Sequence, residues 1–260
     1  MPRTVFVTRY VTPLREGGSL PGLVEADDDG LYVLKFHGAG QGPLALVAEL
    51  VAGEIGRALG LPVPEIVFAE LDAALGRNEP DYEVRSLLRA SAGLNLALDF
   101  LPGALPYLPA TPVAVAPEFA SAIVWFDAYV TNIDRTARNT NLLLWHRNLW
   151  LIDHGAALYF HHTWADYLER SQTPFPAIKD HVLLPQATLL EEVDAHLRAR
   201  LSGDVLAEIV AAIPDVWLEG AAFPGGPDAV RAAYLEYLLS RLRASRSFVE
   251  EAQRARTHSV

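Results

Sequence analysis

The chain has 260 residues, of which 51% are hydrophobic, so it can bury a substantial core in one domain or in two closely packed lobes. Its 21 Lys and Arg against 32 Asp and Glu give a formal net charge of -11, which repels phosphate-rich polymers and makes nucleic acid a poor candidate partner. The lack of cysteine excludes disulfides, zinc–thiolate sites, iron–sulfur clusters and thiol nucleophiles, and it favours a cytoplasmic location.

The first ten residues contain no continuous apolar segment followed by a cleavage site, so no signal peptide is predicted. The most apolar long stretch, residues 113–130, is interrupted by Pro117, Glu118 and Asp127 and fails as a membrane span. We therefore expect a soluble protein. A nucleotide remains compatible with the acidic composition, because a few cationic groups and a bound metal can set the potential inside a cleft.

The first forty residues are predicted to be rich in β-strands. Short β-rich runs at 4–10 and 31–36 are separated by a glycine-containing loop at 17–22 and a turn at 27–30. This arrangement is typical of the edge of an antiparallel sheet.

A helix is predicted next, from Pro43 to Gly60, because apolar residues recur there at helical spacing and glycine and proline end the run. A further strand is predicted at 65–71. Residues 82–101 are predicted to form two strands around a turn at 91–93.

The pattern changes at Pro102 and Gly103, which marks the boundary between an N-lobe of residues 1–101 and a C-lobe of residues 102–260. A strand-rich first lobe before a largely helical second lobe predicts an α+β, bilobal, protein-kinase-like fold. The elements predicted in the second lobe are a helix at 118–129, strands at 142–145 and 149–152, and helices near 188–201, 203–212 and 227–254.

The most informative segment lies between residues 129 and 155. Asp134 is followed five residues later by Asn139, then by the predicted hairpin, and then by Asp153 with Gly155 two positions further on. This is the spacing that kinases use for phosphoryl transfer.

The residue types suit that chemistry. Mg²⁺ prefers oxygen ligands and is held by one or two protein groups together with substrate phosphates, so Asn139 and Asp153 are the candidate metal ligands. Asp134 stands where a carboxylate would position the acceptor hydroxyl and take its proton. The predicted cofactors are therefore ATP and Mg²⁺.

A structural interpretation of these residues has to be weighed as well. Asp and Asn favour turns, so an Asp and an Asn five residues apart are common in loops. Asp153, however, ends an apolar strand, where a carboxylate is costly unless it is paired or bound to metal. That difference favours the catalytic interpretation.

Upstream residues complete a candidate nucleotide site. Lys35 ends an apolar strand, where its ammonium could reach phosphates, and Glu49 on the following helix could hold it by an ion pair. Taken singly, Lys35 is equally consistent with a solvated strand-end lysine, and Glu54 is a rival partner. The loop that contains Gly17, Gly18 and Ser19 could let backbone amides approach phosphates, although such loops are also frequent hairpin turns.

The segments 48–64, 132–139 and 152–155 together resemble the HipA-like kinases, a kinase-fold family related to bacterial toxin serine/threonine kinases. The 132–139 loop is also similar to that of type II phosphatidylinositol 4-kinases. The resemblance covers about residues 17 to 185. It implies Asp134 as the catalytic Asp, Asn139 and Asp153 as metal ligands, Lys35 and Glu49 as the phosphate-binding lysine and its partner, and Phe100 and Leu101 as the link that borders adenine.

The chain lacks room for the N-terminal subdomain of the full-length toxin kinases, and no segment matches their autophosphorylated serine loop. These two departures argue against dependence on an antitoxin partner, and the question of toxin activity stays open at this point. Three functional hypotheses follow from the residues. They are a kinase that phosphorylates a hydroxyl of a protein, small molecule or lipid, a kinase-fold module that binds nucleotide without turnover, and a metal-dependent hydrolase that uses Asp134 and Asp153.

Overall fold

The computed structural model describes residues 2–14, 20–40, 42–77, 79–110 and 113–258. Among these residues, none of the helices combines the length and the apolar character that a membrane crossing requires. Residues 17–19 of the predicted glycine-containing loop lie outside the described ranges.

Five strands from the first hundred residues close into a barrel in the order β1-β2-β3-β5-β4. The neighbours β1 and β4 pair in parallel, whereas the other strand pairs are antiparallel. The expectation of an antiparallel sheet edge was therefore wrong for β1, because closure of the barrel gives this strand a second partner. The strands are β1 (Thr4–Pro13), β2 (Gly22–Ala26), β3 (Leu31–Lys35), β4 (Ile66–Leu71) and β5 (Gly93–Asp99).

Alternating residues of these strands point into the barrel, as the two-residue repeat of a strand requires. Val5, Val24, Leu34 and Ala97 are among the residues of this small core, and each is at most 1% exposed. The barrel therefore gives β3, which carries Lys35 at its end, a rigid support.

Helix α1 (Gly42–Ala58) follows β3 directly and confirms the helix predicted at 43–60. Most of its residues from Leu46 onward are buried, and they pack in the larger core of the protein with barrel residues such as Leu96 and with helices of the second half. The helix thus joins the barrel to the rest of the chain. The lobe boundary between residues 101 and 102 stays a prediction.

The two strands predicted within 82–101 are one helix, α2 (Tyr82–Ala90), and one strand, β5. The Asp81 side chain accepts hydrogen bonds from the backbone N–H groups of Glu83 and Val84 and so caps the helix. Val84 and Leu88, four residues apart, form its buried face. The prediction of a first strand was wrong, because the Asp81 cap and the spacing of the two buried residues favour a short helix here.

The second half of the chain contains a three-stranded sheet and several helices. Strand β6 (Leu105–Pro106) was not predicted, whereas α3 (Pro117–Tyr129), β7 (Leu142–Trp145) and β8 (Asn148–Leu151) confirm the predicted elements. The sheet order is β6-β7-β8. The later helices are α4 (Tyr167–Ser171), α5 (Leu190–Arg200), α6 (Gly203–Ala211), α7 (Asp215–Leu218), α8 (Gly226–Arg243) and α9 (Ser245–His258).

The single long helix predicted at 227–254 is interrupted at Ala244, which separates α8 from α9. The interruption lets α9 turn back so that Phe248 reaches Trp125 and Tyr129 of α3, with ring centroids 5.6 and 6.3 Å away. This packing, which a sequence pattern does not reveal, supports the helix that leads into the 130–141 loop.

Candidate active site

Three charged side chains from distant parts of the chain meet at the end of β3. Lys35 Nζ lies 2.5 Å from Glu49 Oε2 on α1 and 2.5 Å from Asp153 Oδ1, which follows β8. We call these residues the Lys35 cluster. Burial by itself lowers the pKa of Lys35, but Glu49 and then Asp153 raise it well above its ordinary value, so the ammonium stays charged.

The structure distinguishes between the two candidate glutamates. Glu49 is fully buried and contacts Lys35. Glu54 instead pairs with Arg57 on the same helix, with 3.4 Å between Glu54 Oε1 and Arg57 Nε. Burial by itself raises the pKa of Glu49, but Lys35 and the hydrogen bonds from His154 lower it to about 2. Glu49 is therefore an ionised partner of Lys35.

Asp153 is held in an unusual backbone conformation, with a φ of 56° in the left-handed region. Non-glycine residues rarely adopt this region, and outliers of this kind cluster at functional sites. The conformation leaves its side chain 40% exposed beside a small pocket. The pocket is lined by Lys35, Phe36, Ala39, Gly42, Ala45, Leu46, Asp153 and Gly155.

The loop after α3 holds Asp134 by two amide side chains. Asn139 Nδ2 donates to Asp134 Oδ2 at 2.7 Å, and Asn141 Nδ2 donates to the same oxygen at 3.3 Å. Asn141 also donates to the backbone oxygen of Asp153 at 3.4 Å. The structure thus brings Asp134, Asn139 and Asp153 into one region, with Asn141 as the link between the loop and the Lys35 cluster.

A second group of charged residues lies behind this loop and is sealed from solvent. Asp127 on α3 accepts hydrogen bonds from Arg135 Nε at 2.6 Å, from His181 Nε2 at 2.9 Å and from Asn132 Nδ2 at 2.9 Å. We call Asp127, Arg135 and His181 the Asp127 cluster. Burial by itself raises the pKa of Asp127, but Arg135 and His181 together hold it well below its ordinary value.

Arg135 connects this cluster to the backbone on both sides of the hairpin. Its guanidinium donates to the carbonyl oxygens of Asn141 and Ile152 as well as to Asp127. Because Ile152 precedes Asp153 in the chain, one buried side chain fixes the end of the loop and the approach to the Lys35 cluster. The Arg135 guanidinium is thus paired with a buried carboxylate and is not free to contact a ligand from solvent.

Arg241 on α8 supports the same loop from its other end. The side chain is 1% exposed and donates to the backbone oxygens of Ala128 and Tyr129, which end α3. It also donates to the backbone oxygens of Ser171 and Thr173, and its guanidinium carbon lies 4.9 Å from the centre of the Phe248 ring. A planar group with several donors is needed to satisfy these carbonyl groups together.

The predicted adenine link lies at the end of β5. The Phe100 backbone N–H donates to the Leu31 oxygen at 2.9 Å, and Leu101 is 6% exposed. Phe100 therefore lies beside Leu31 at the start of β3. Leu31 precedes Lys35 by four residues, which corresponds to roughly 13 Å along a strand. Gly17, Gly18 and Ser19, which were also predicted to bind phosphate, lie outside the described residues.

Several residues of the site were not predicted from the sequence, namely Asn141, Asp127, His154 and His181. One signal was present for Asp127, because it is a charge inside the apolar run that forms α3. A carboxylate in such a position needs partners. Those partners, Arg135 and His181, are 8 and 54 residues away and could not be identified without the fold.

The fold is similar to that of solved kinases. The structure of the Helicobacter pylori proinflammatory kinase CtkA matches with a TM-score of 0.57 at 15% identity, over 100% of both chains. The Golgi casein kinase with Mn and ADP bound matches with a TM-score of 0.53 at 13% identity, over 99% of this chain and 76% of that chain. At these identities the similarity shows the fold alone, which is kinase-like with mixed helices and strands.

The family is shown by a sequence model. The model of the HipA-like kinases matches residues 7–249, so the chain belongs to the HipA-like kinase family. This confirms the resemblance that the 132–139 and 152–155 segments indicated. No curated protein matches the chain significantly. Family and fold together support a phosphotransferase.

Proposed function

We propose that the chain is a Mg²⁺-dependent kinase that transfers the γ-phosphate of ATP to a serine or threonine hydroxyl of a protein. The observation that carries the proposal is the meeting of Lys35, Glu49 and Asp153 next to the loop that holds Asp134 and Asn139. These five positions match the parts that protein kinases use.

Lys35 would bind phosphate oxygens of the nucleotide. Its ammonium is charged and is directed by Glu49, which cannot turn towards solvent because it is fully buried. Phe100 and Leu101, at the far end of the β3–β5 pair, would border the adenine ring. Base and phosphates would then lie along the same pair of strands.

Asn139 and Asp153 would hold Mg²⁺, which when bound neutralises phosphate charge during transfer. The donor set fits this ion, since one amide oxygen and one carboxylate are hard oxygen ligands and the Asp153 side chain is 40% exposed. Among the described residues, no three His, Cys, Asp or Glu side chains are grouped so that they could hold a metal alone. The remaining ligands would therefore be phosphate oxygens and water.

Asp134 would position the acceptor hydroxyl and accept its proton. The amide groups of Asn139 and Asn141 hold one carboxylate oxygen, Oδ2, in place. The carboxylate therefore has a fixed orientation before the acceptor binds, which lowers the entropy cost of the reactive arrangement.

The choice of a protein acceptor is supported by the name of one structural neighbour, the Golgi casein kinase. A combined experiment tests both parts of the proposal. Calorimetry should detect ATP binding that depends on Mg²⁺, and incubation with γ-labelled ATP should transfer label to serine- or threonine-containing peptides or to the chain itself.

The sequence provides an internal control, since its two lysines are Lys35 and Lys179. An acyl phosphate of ATP should acylate Lys35 and leave the exposed Lys179 unmodified, as peptide mass spectrometry would show. Equal modification of both lysines, with no heat of ATP binding at millimolar concentration, would contradict the nucleotide site. Transfer of label only to lipid or small-molecule hydroxyls would support the proposed kinase activity but contradict the proposed protein acceptor.

A further inference from the structure

His154 follows Asp153 directly and is fully buried against Glu49. We propose that His154 is a positioning residue, whose imidazole holds the Glu49 carboxylate in the orientation that fixes Lys35. This inference rests on the proposed function, because the position of Lys35 matters for transfer through its contact with phosphate.

The Glu49 carboxylate is held by His154 at both oxygens. The His154 backbone N–H donates to Oε2 at 2.8 Å, and the ring nitrogen Nδ1 lies 3.3 Å from Oε1. Oε2 also accepts the hydrogen bond from Lys35. The ring contact therefore fixes the rotation of the carboxylate, which the shared contacts at Oε2 leave free.

The two ring nitrogens have different surroundings. Nδ1 faces a carboxylate oxygen, so it carries the proton and donates, because a lone pair directed at a carboxylate would be repelled. Nε2 is buried without a hydrogen-bond partner among the described residues. The ring itself packs edge-on against Phe126 of α3, with centroids 5.7 Å apart.

These contacts form a closed ring of interactions. Lys35 contacts Glu49, Glu49 contacts His154, His154 is bonded to Asp153, and Asp153 contacts Lys35. A rotation of Glu49 would move Lys35 away from its position relative to Asp153. His154 thus contributes to phosphate alignment without touching the nucleotide.

The asymmetry of the ring gives a sharp test with three variants. His154→Phe keeps the ring packing against Phe126 and the backbone N–H but removes the donor to Oε1. His154→Asn places an amide N–H close to the position of Nδ1, whereas His154→Gln places it close to Nε2. The three variants share the same backbone contact with Glu49.

We expect kcat/KM for ATP to fall about 10-fold or more in the Phe and Gln variants, as for the loss of a hydrogen bond to a charged group, and to stay within roughly 3-fold of wild type in the Asn variant. The loss should lie mainly in kcat, because the Lys35 contact strengthens as charge develops on the transferred group. Equal values for the Asn and Phe variants would overturn the proposal.

A second measurement needs no nucleotide and separates this proposal from the kinase assignment. Urea unfolding midpoints are compared for wild type, Glu49→Met, His154→Phe and the double variant. If His154 acts on Glu49, the shift caused by His154→Phe shrinks in the Glu49→Met background. Additive shifts of the unfolding midpoint would contradict the proposed action of His154 on Glu49. A wild-type protein that neither binds nor uses ATP would contradict the proposed function alone.

Discussion

The Lys35 cluster and the Asp127 cluster both combine a buried carboxylate with cations, yet they differ in their access to solvent. In the Asp127 cluster, the side chains of Asp127 and Arg135 are 0% exposed and that of His181 is 2% exposed. In the Lys35 cluster, Glu49 is equally buried, but Lys35 is 13% and Asp153 is 40% exposed.

The difference indicates which cluster can take part in chemistry. A sealed ion pair has no room for another partner, and it contributes by fixing the backbone around it. An ion pair with one open end can exchange a protein partner for a ligand. The Asp127 cluster therefore supports the 130–141 loop, while the open end of the Lys35 cluster is where we propose that the nucleotide binds.

The largest effect is expected for a substitution that breaks the ion pair of the Asp127 cluster. Asp127→Asn leaves the Arg135 guanidinium buried without a counter-charge, which should lower the free energy of unfolding by about 3–5 kcal/mol. Urea unfolding measures this change. The matched control is Asp180→Asn, an exposed carboxylate next to His181, which should change stability by less than about 0.5 kcal/mol. Similarly small effects for both variants would contradict a structural role for the buried charges of the Asp127 cluster.

The next largest effect concerns Asp134, which lies in the loop that the Asp127 cluster supports. Asp134→Asn should lower the rate of phosphate transfer by ~10²-fold or more and leave ATP affinity near wild type, because the carboxylate acts on the acceptor. Autophosphorylation or slow ATP hydrolysis reports the rate, and calorimetry reports the affinity. A parallel loss of Mg·ATP binding would instead identify Asp134 as a metal ligand.

The proposed role of the Lys35 cluster in nucleotide binding is tested by Asp153→Asn. Loss of the charge should weaken Mg²⁺-dependent ATP binding by roughly 10-fold or more. The melting temperature without ligand should stay close to wild type, because the removed charge is 40% exposed. Asp166→Asn is a matched control, since Asp166 is exposed and has a similar φ of 52°. An unfolded Asp153→Asn variant would assign the carboxylate a structural role.

The most gradual expected effect is a dependence of stability on pH. The pKa of Glu49 is about 2 in the folded protein against an ordinary value of 4.5, so the unfolded chain binds a proton that the folded chain does not. The contribution of ionised Glu49 to the free energy of unfolding is then fully present above about pH 4.5 and is lost as the pH falls towards 2. The slope of this loss is up to ~1.4 kcal/mol per pH unit. Unfolding measured between pH 2 and 6 should show a shallower slope for Glu49→Met. If the slope of stability against pH were the same in Glu49→Met and in wild type, the lowered pKa of Glu49 would be contradicted.

The sequence was sufficient for the parts of the site that depend on spacing within one segment. Asp134, Asn139 and Asp153 lie within twenty residues, and the hairpin between them consists of two short apolar runs separated by a polar turn. Strands β1, β3 and β4 and helices α1 and α3 were predicted for the same reason, since their hydrophobic repeats are local.

The remaining features depend on contacts between distant segments. Pairing of β1 with β4 closes the barrel, α1 belongs to the larger core, and α9 turns back on α3. The choice of Glu49 over Glu54 required knowledge of which face of α1 is buried beside Lys35. Local patterns carry no information on such contacts, because the same pattern fits either arrangement.

The contact between Lys35 and Asp153 also bears on how the protein is made. The two residues are 118 positions apart, and Glu49 is 105 positions from His154. Contacts across such distances form late in folding, since closing a long loop costs entropy that local contacts do not require. A growing chain would therefore complete the strands of the barrel before it could form the Lys35 cluster. The proposed phosphate transfer would require that the second half of the chain had been synthesised and had packed against α1.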